Sequence, residues 1–132
     1  IIVPAFNYIS AVETAVLLGL RVVYADVALD TFNIVLESLE RMCDQYHPKA
    51  IVTVSLFGLP ADRIKIKKIA EKYGAFVIED QAQSIGAKIM NEKRAMYAHW
   101  SDISTTSFFP TKNLGGIGDG GALYTEKEEI YL

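Results

Sequence analysis

The sequence predicts an α/β fold, a three-layer arrangement of a mostly parallel sheet with helices on both faces. Three observations carry that reading. Apolar, β-branched runs such as "AIVTV" and "AFVI" are continuous rather than alternating, as in strands buried on both sides. Amphipathic segments of about three turns lie between them, the length of crossover helices. The runs also close on polar residues, Asp26 after one and Glu79 and Asp80 after another, so the polar chemistry gathers at strand ends.

The elements follow in order. "IIVP" reads as a first strand. Because it opens without Met, in what looks like the middle of a buried run, the chain reads as a fragment. "SAVETAVLLG" follows as a helix, with Ser10 and Glu13 at capping-box spacing and Val12, Ala15, Val16 and Gly19 on one face. "RVVYADV" is a short strand closed by Asp26. Leu36, Leu39, Cys43 and Tyr46 then recur at helical spacing, which gives the sole cysteine a packing role. "KAIVTVSLFG" is a third strand. After Pro60, the residues Ile66, Ile69, Ala70 and Tyr73 form the inner stripe of a helix that Gly74 stops. "AFVIED" is a fourth strand. Residues 81–103 show no clean period, and "ISTTSFF" and "GGALYT" read as two more strands flanking a glycine-rich loop. No repeat or linker interrupts the chain, which reads as one domain piece.

Composition narrows the class. With 132 residues, 51% hydrophobic and 22% charged, the chain suits one soluble core. A net charge of −3 with both signs interspersed offers no basic face to nucleic acid and no polybasic anchor to a membrane. The lone Cys43 excludes an internal disulfide framework and fits a reducing cytoplasm. Apolar stretches such as "AVLLGL" are too short to span a bilayer.

In an open α/β sheet, ligands bind beyond the carboxyl ends of the strands. Those positions are Asn7 and Tyr8, Ser55 to Gly58, Asp80 to Gln83, and Ser107 to Lys112. Together they supply an aromatic face, a carboxylate, an amide, a hydroxyl and a lysine. Each has a plain alternative: Asp80 and Glu79 as capping or ion-pairing groups, Tyr8 as a core-edge aromatic, Gln83 as a loop amide, Lys112 as a solvated surface charge. Only the combination points to a site. Gly116, Gly118 and Gly121 satisfy G-x-G-x-x-G, but "GALYT" after them reads as strand where a dinucleotide fingerprint needs a helix. There is no Walker loop, nucleophile elbow or zinc-spaced cluster, and His47 and His99 stand far apart in sequence.

The segments "IIVPAFNYIS", "VSLFGLPAD", "VIEDQAQSIGA" and above all "SFFPTKNLGGIGDGGAL" resemble the sugar-nucleotide aminotransferases of the DegT/StrS group, pyridoxal 5'-phosphate (PLP) enzymes of fold type I. The resemblance runs through essentially the whole chain. It implies that residues 1–132 are the central part of a PLP-binding large domain, with an N-terminal segment and a C-terminal small domain absent. It further implies a cytoplasmic homodimer that passes an amino group from L-glutamate to a nucleotide-linked keto-sugar. By that resemblance Lys112 matches the lysine that bonds to PLP and later shuttles a proton, and Asp80 the partner of the pyridine nitrogen. Gln83 matches the group near the phenolic oxygen, Tyr8 the aromatic that stacks on the ring, and Ser107 a phosphate ligand. Gln81 departs from the pattern, which has a small residue there, and so alters contacts behind the cofactor. Family members that remove a sugar hydroxyl have lost the lysine, so Lys112 argues against that branch. A fold type I aminotransferase with a non-sugar keto acceptor, and a non-catalytic remnant of the fold, are the alternatives.

These roles have a physical basis. PLP acts as an electron sink while its ring nitrogen stays protonated, and a carboxylate against that nitrogen favours the charged form. Desolvation of Lys112 among Phe108, Phe109 and Leu114 would favour its neutral, nucleophilic form. Gly115, Gly116 and Gly118 would let the backbone approach the cofactor or a neighbouring subunit, or simply form a tight turn between strands.

Overall fold

The continuous apolar runs become neighbours in one sheet. A computed structural model describes residues 1–87 and 100–130. The segment 81–103 is therefore visible only at its two ends, and His99 lies outside the described residues. The described strands are β1 (Ile2–Pro4), β2 (Val23–Ala25), β3 (Ala50–Val54), β4 (Phe76–Asp80), β5 (Ile103–Ser107) and β6 (Gly121–Tyr124). They lie in the order β2-β1-β3-β4-β5-β6, parallel throughout except for β6, which pairs antiparallel with β5.

The helices are α1 (Ser10–Leu17), α2 (Leu36–Tyr46) and α3 (Arg63–Tyr73). Alternation along the strands splits the core in two. On one face Ile2, Ile51 and Val77 pack with Leu39 and Cys43 of α2 and Ile66 and Ala70 of α3. On the other, Val3, Val52 and Val54 meet Ala11 and Val12 of α1. The expected three layers are present, and connection handedness explains them. From β1 the chain steps outward to β2, whereas from β2 onward it moves toward β4. Right-handed crossovers in opposite directions must lie on opposite faces.

Several boundaries differ from the sequence expectation. The run "KAIVTVSLFG" leaves the sheet after Val54, and Leu56–Gly58 forms a 3-10 turn in which Phe57 takes φ 55°. Ser10 is not a cap. Ile9 stands at the N-cap with no side-chain hydrogen bond, so Ser10 falls within the first helical turn and the capping box is not formed. The α1 stripe is buried only at Ala15, whereas Val16 is 60% exposed and Gly19 lies past the helix end. Helix α3 does have a side-chain cap, from Asp62, whose Oδ1 accepts from the Lys65 backbone N at 3.1 Å. Gly74 ends it in the left-handed region at φ 65°, where only glycine is free of Cβ strain.

At the amino end of β4 and β5, Asp102 is 3% exposed and accepts from the Val77 backbone N (2.6 Å), Lys127 Nζ (2.6 Å) and Lys67 Nζ (3.2 Å). Burial pushes its pKa up, but the Lys127, Val77 and Lys67 donors more than reverse this and hold it below the ordinary carboxylate value. That clamp fixes one end of the strand pair and leaves the carboxyl end for chemistry. No helix among the described residues is long and apolar enough to cross a membrane.

Candidate active site

A cavity of about 600 Å³ opens at the carboxyl ends of β3, β4 and β5, next to the point where strand order reverses between β1 and β3. Its size is ordinary for a small-molecule site. Tyr8, Asp80, Gln83, Ser107 and Lys112 all line it. Residues from three separate strand ends, those of β1, β4 and β5, are thus brought together.

Strand alternation aims the carboxylate. In β4, Val77 belongs to the α2/α3 core, so Ile78 and Asp80 point to the α1 side, where both line an apolar groove that shares Asp80 with the cavity. Asp80 is the last residue of its strand, paired with Val54 and Thr105. Its Oδ1 accepts from the Ala82 backbone N at 2.9 Å, which fixes the carboxylate plane. No cationic side chain among the described residues pairs with it.

Gln83 is oriented by a neighbouring loop. Its Oε1 accepts from the backbone N of Phe57 at 2.8 Å, so the amide Nε2 keeps its two N–H donors for another partner. Ser107 Oγ accepts from Phe109 N at 3.2 Å, which leaves its O–H proton to be donated elsewhere. Tyr8 is 71% exposed and offers its ring face at the cavity wall. Lys112 is half-buried and its backbone N donates to Phe109 O at 2.9 Å. Its Nζ has no hydrogen bond or ion pair among the described residues.

Two expectations about the lysine loop change. Phe109 and Leu114 are 46% and 55% exposed, so these apolar neighbours do not desolvate Lys112 within this chain. The glycines, for their part, serve the loop's own closure. A Cβ on Gly115 would sit 2.4 Å from the Pro110 carbonyl oxygen, and one on Gly121 would sit 2.8 Å from the Thr106 oxygen. Gly116 N donates to Phe108 O, and Phe108 N donates to Gly120 O, both at 2.7 Å. The tight-turn reading of the glycines is thus met by the loop. Gly115→Ala should force the loop away from Pro110, costing about 1–3 kcal/mol of stability. A thermal melt of the variant checks this, and an unchanged midpoint would contradict it.

Several lining residues were not singled out in the sequence. Thr105 and Thr106 sit in the "STTS" strand-end run, Thr111 beside the lysine, and Asp119 is the lone charge in the glycine loop. Ser10, read as a cap, also lines the wall. Gln81 turns away from the cavity: it is fully buried on the far side of β4 and donates from Nε2 to Glu79 Oε2 at 2.6 Å. Its effect is therefore on the support of the site.

The residues present fit PLP. A carboxylate without a cationic partner among the described residues suits a protonated ring nitrogen, and a lysine amine with no partner among them suits an aldehyde. An exposed ring face beside the cavity suits a flat heterocycle, and the hydroxyls of Ser107 and Thr111 suit a phosphate.

A parallel sheet with an acid, an amide and a lysine at its carboxyl edge defines a class of cofactor-binding α/β enzymes, and comparison with known proteins narrows it. Residues 1–131 match the DegT/DnrJ/EryC1/StrS aminotransferase family, and the chain belongs to that family. It is 43% identical over 130 residues to a UDP-2-acetamido-2-deoxy-3-oxo-D-glucuronate aminotransferase of Pseudomonas aeruginosa, covering 98% of this chain and 35% of that protein. A crystal structure of a DegT/DnrJ/EryC1/StrS aminotransferase from Brucella abortus superimposes with a TM-score of 0.88 at 41% identity, covering 98% of this chain and 35% of that one. The NtdA structure from Bacillus subtilis, solved with bound cofactor PMP, superimposes with a TM-score of 0.81 at 36% identity, covering 98% and 28%. The chain spans about a third of the length of the curated relative.

Proposed function

We propose that the protein carrying this chain is a PLP-dependent aminotransferase that transfers an amino group from L-glutamate to a nucleotide-linked keto-sugar. The observation that carries the reading is that one cavity is lined both by a lysine whose amine makes no hydrogen bond or ion pair among the described residues and by a strand-end carboxylate with no cationic partner among them. Family membership supports the reaction type. The keto-sugar nucleotide is supported by the P. aeruginosa relative, named for such a substrate, and the cofactor by the PMP bound in the B. subtilis structure. Residues 1–132 would be the central part of a larger PLP-binding domain in a cytoplasmic homodimer, a reading in keeping with the short span against its relatives.

PLP, when bound, supplies an aldehyde that exchanges amines and a ring that accepts electrons from the carbon being deprotonated. The chain's residues do the rest. Asp80 holds the proton on the ring nitrogen, because an anion beside that nitrogen favours its charged form. Gln83, anchored through Oε1, presents its N–H donors to the phenolic oxygen. Tyr8 covers one face of the ring, and Ser107 donates its hydroxyl proton to the phosphate. Lys112 Nζ is the amine that would hold the cofactor through its aldehyde and be released by the incoming donor amine. Once released, the same amine would be placed to take a proton from the amino-bearing carbon of the donor and to return it to the cofactor carbon on the other side of the nitrogen. Hydrolysis by water would then release 2-oxoglutarate and leave the amine on the cofactor, and the reverse sequence, with loss of water, would deliver that amine to the sugar ketone.

The full-length protein loaded with PLP should lose its visible absorbance with L-glutamate and regain it with a keto-sugar nucleotide or with 2-oxoglutarate, the donor's own keto acid, but not with other simple 2-keto acids. Initial rates should follow ping-pong kinetics. Recovery with other keto acids and none with a keto-sugar nucleotide would sink the sugar acceptor, and no response to any amino donor would sink the aminotransferase reading.

A further inference from the structure

The strand end that carries Asp80 is held from behind by a buried polar hub. Glu79 is fully buried on the α2/α3 side of β4. Its Oε1 accepts from Ser55 Oγ at 3.3 Å and lies 3.9 Å from Arg63 Nε. Its Oε2 accepts from Gln81 Nε2 at 2.6 Å and from Trp100 Nε1 at 2.7 Å. Burial pushes the Glu79 pKa up, against the opposing pull of Gln81, Arg63, Trp100 and Ser55. Two of these links, through Ser55 and Gln81, lead to the cavity. Ser55 opens the turn whose Phe57 N–H holds the Gln83 amide at 2.8 Å. Gln81, on the other side of Asp80, is tied to β5 through its N to Thr105 O (2.7 Å) and by Thr106 Oγ1 to its O (3.4 Å). Both neighbours of Asp80 are therefore locked into the rear network, and Asp80 alone faces forward. Ser104 Oγ, 3.5 Å from Gln81 Nε2 and 2.8 Å from Ser101 Oγ, extends the lock along β5.

We propose that Glu79 is a positioning residue: from behind the sheet it fixes the Asp80 carboxylate through Gln81 and the Gln83 amide through Ser55 and the Phe57 turn. This rests on the aminotransferase reading of the site. Its physical basis is that a buried carboxylate with several donors is costly to rearrange, so the strand ends it joins move together or not at all.

The test uses the full-length protein, with two readouts: the PLP dissociation constant and the pH at which the bound cofactor's absorbance titrates. Glu79→Ala removes every link and should weaken PLP binding about 10- to 100-fold and displace that titration. Glu79→Gln can still accept from Gln81 and Trp100 through its oxygen and donate to Ser55 through its nitrogen, so it should restore most of the affinity and the titration. If Glu79→Ala fails to fold, Ser55→Ala carries the test, since it cuts only the branch to Gln83 and should weaken PLP binding with the fold intact. Wild-type affinity and titration in Glu79→Ala, or in Ser55→Ala when it stands in, overturn the proposal. So does a loss in Glu79→Gln as large as in Glu79→Ala, which would make charge and not linkage the cause. A wild-type protein that takes up no PLP would overturn the aminotransferase reading itself, and this inference with it.

Discussion

Lys112→Ala in the full-length protein is expected to lower turnover by about 10⁴-fold or more, because in the proposed reaction one amine would both hold the cofactor and move the proton. The variant should fold normally. Lys112 makes no side-chain hydrogen bond or ion pair among the described residues, so its truncation removes no contact the fold depends on. Borohydride treatment of the wild-type protein with PLP should fix the cofactor to the peptide containing Lys112, as mass spectrometry would show. A variant that still turns over glutamate at the wild-type rate, or a label on another lysine, would rule out this role.

Asp80→Asn is the second large effect, expected to cut turnover about 10²- to 10³-fold while leaving the melting temperature near that of the wild type. Asparagine can still accept from the Ala82 backbone N through its side-chain oxygen, so the local turn survives. What it loses is the negative charge at the ring nitrogen. The bound cofactor should accordingly titrate at lower pH in the variant, since its protonated form has lost an anionic neighbour. Unchanged rates and an unchanged titration would remove Asp80 from the site.

These residues were legible because the α/β layout puts ligand contacts at strand ends, and strand ends can be located from apolar runs. "AFVIED" announced both β4 and Asp80, and the parallel order then required Tyr8, Gln83, Ser107 and Lys112 to share an edge. What the sequence hid was mostly non-local. Glu79 meets Ser55 and Trp100, 24 and 21 residues away in the chain, and no periodicity links such positions. Nor did any local signal place the Phe57 amide against Gln83, because a left-handed phenylalanine is not written in its neighbours. The desolvation of Lys112 was over-read for the opposite reason. Phe109 and Leu114 are apolar in sequence, but apolar neighbours in a loop are not a core. Ser10 likewise has the spacing of a cap, yet the helix begins one residue too early for it to act as one.

The lysine loop leaves β5 and returns to β6 through Phe108, whose N–H and C=O are both engaged, by Gly120 and Gly116. Lys112 therefore rides on a ring of backbone fastened at its base before any ligand arrives. Much of the conformational search that a free loop would face at each binding event has been completed during folding. In the proposed reaction, where the amine would release the cofactor and recapture it every cycle, that fastening would shorten the search of Lys112 for its aldehyde.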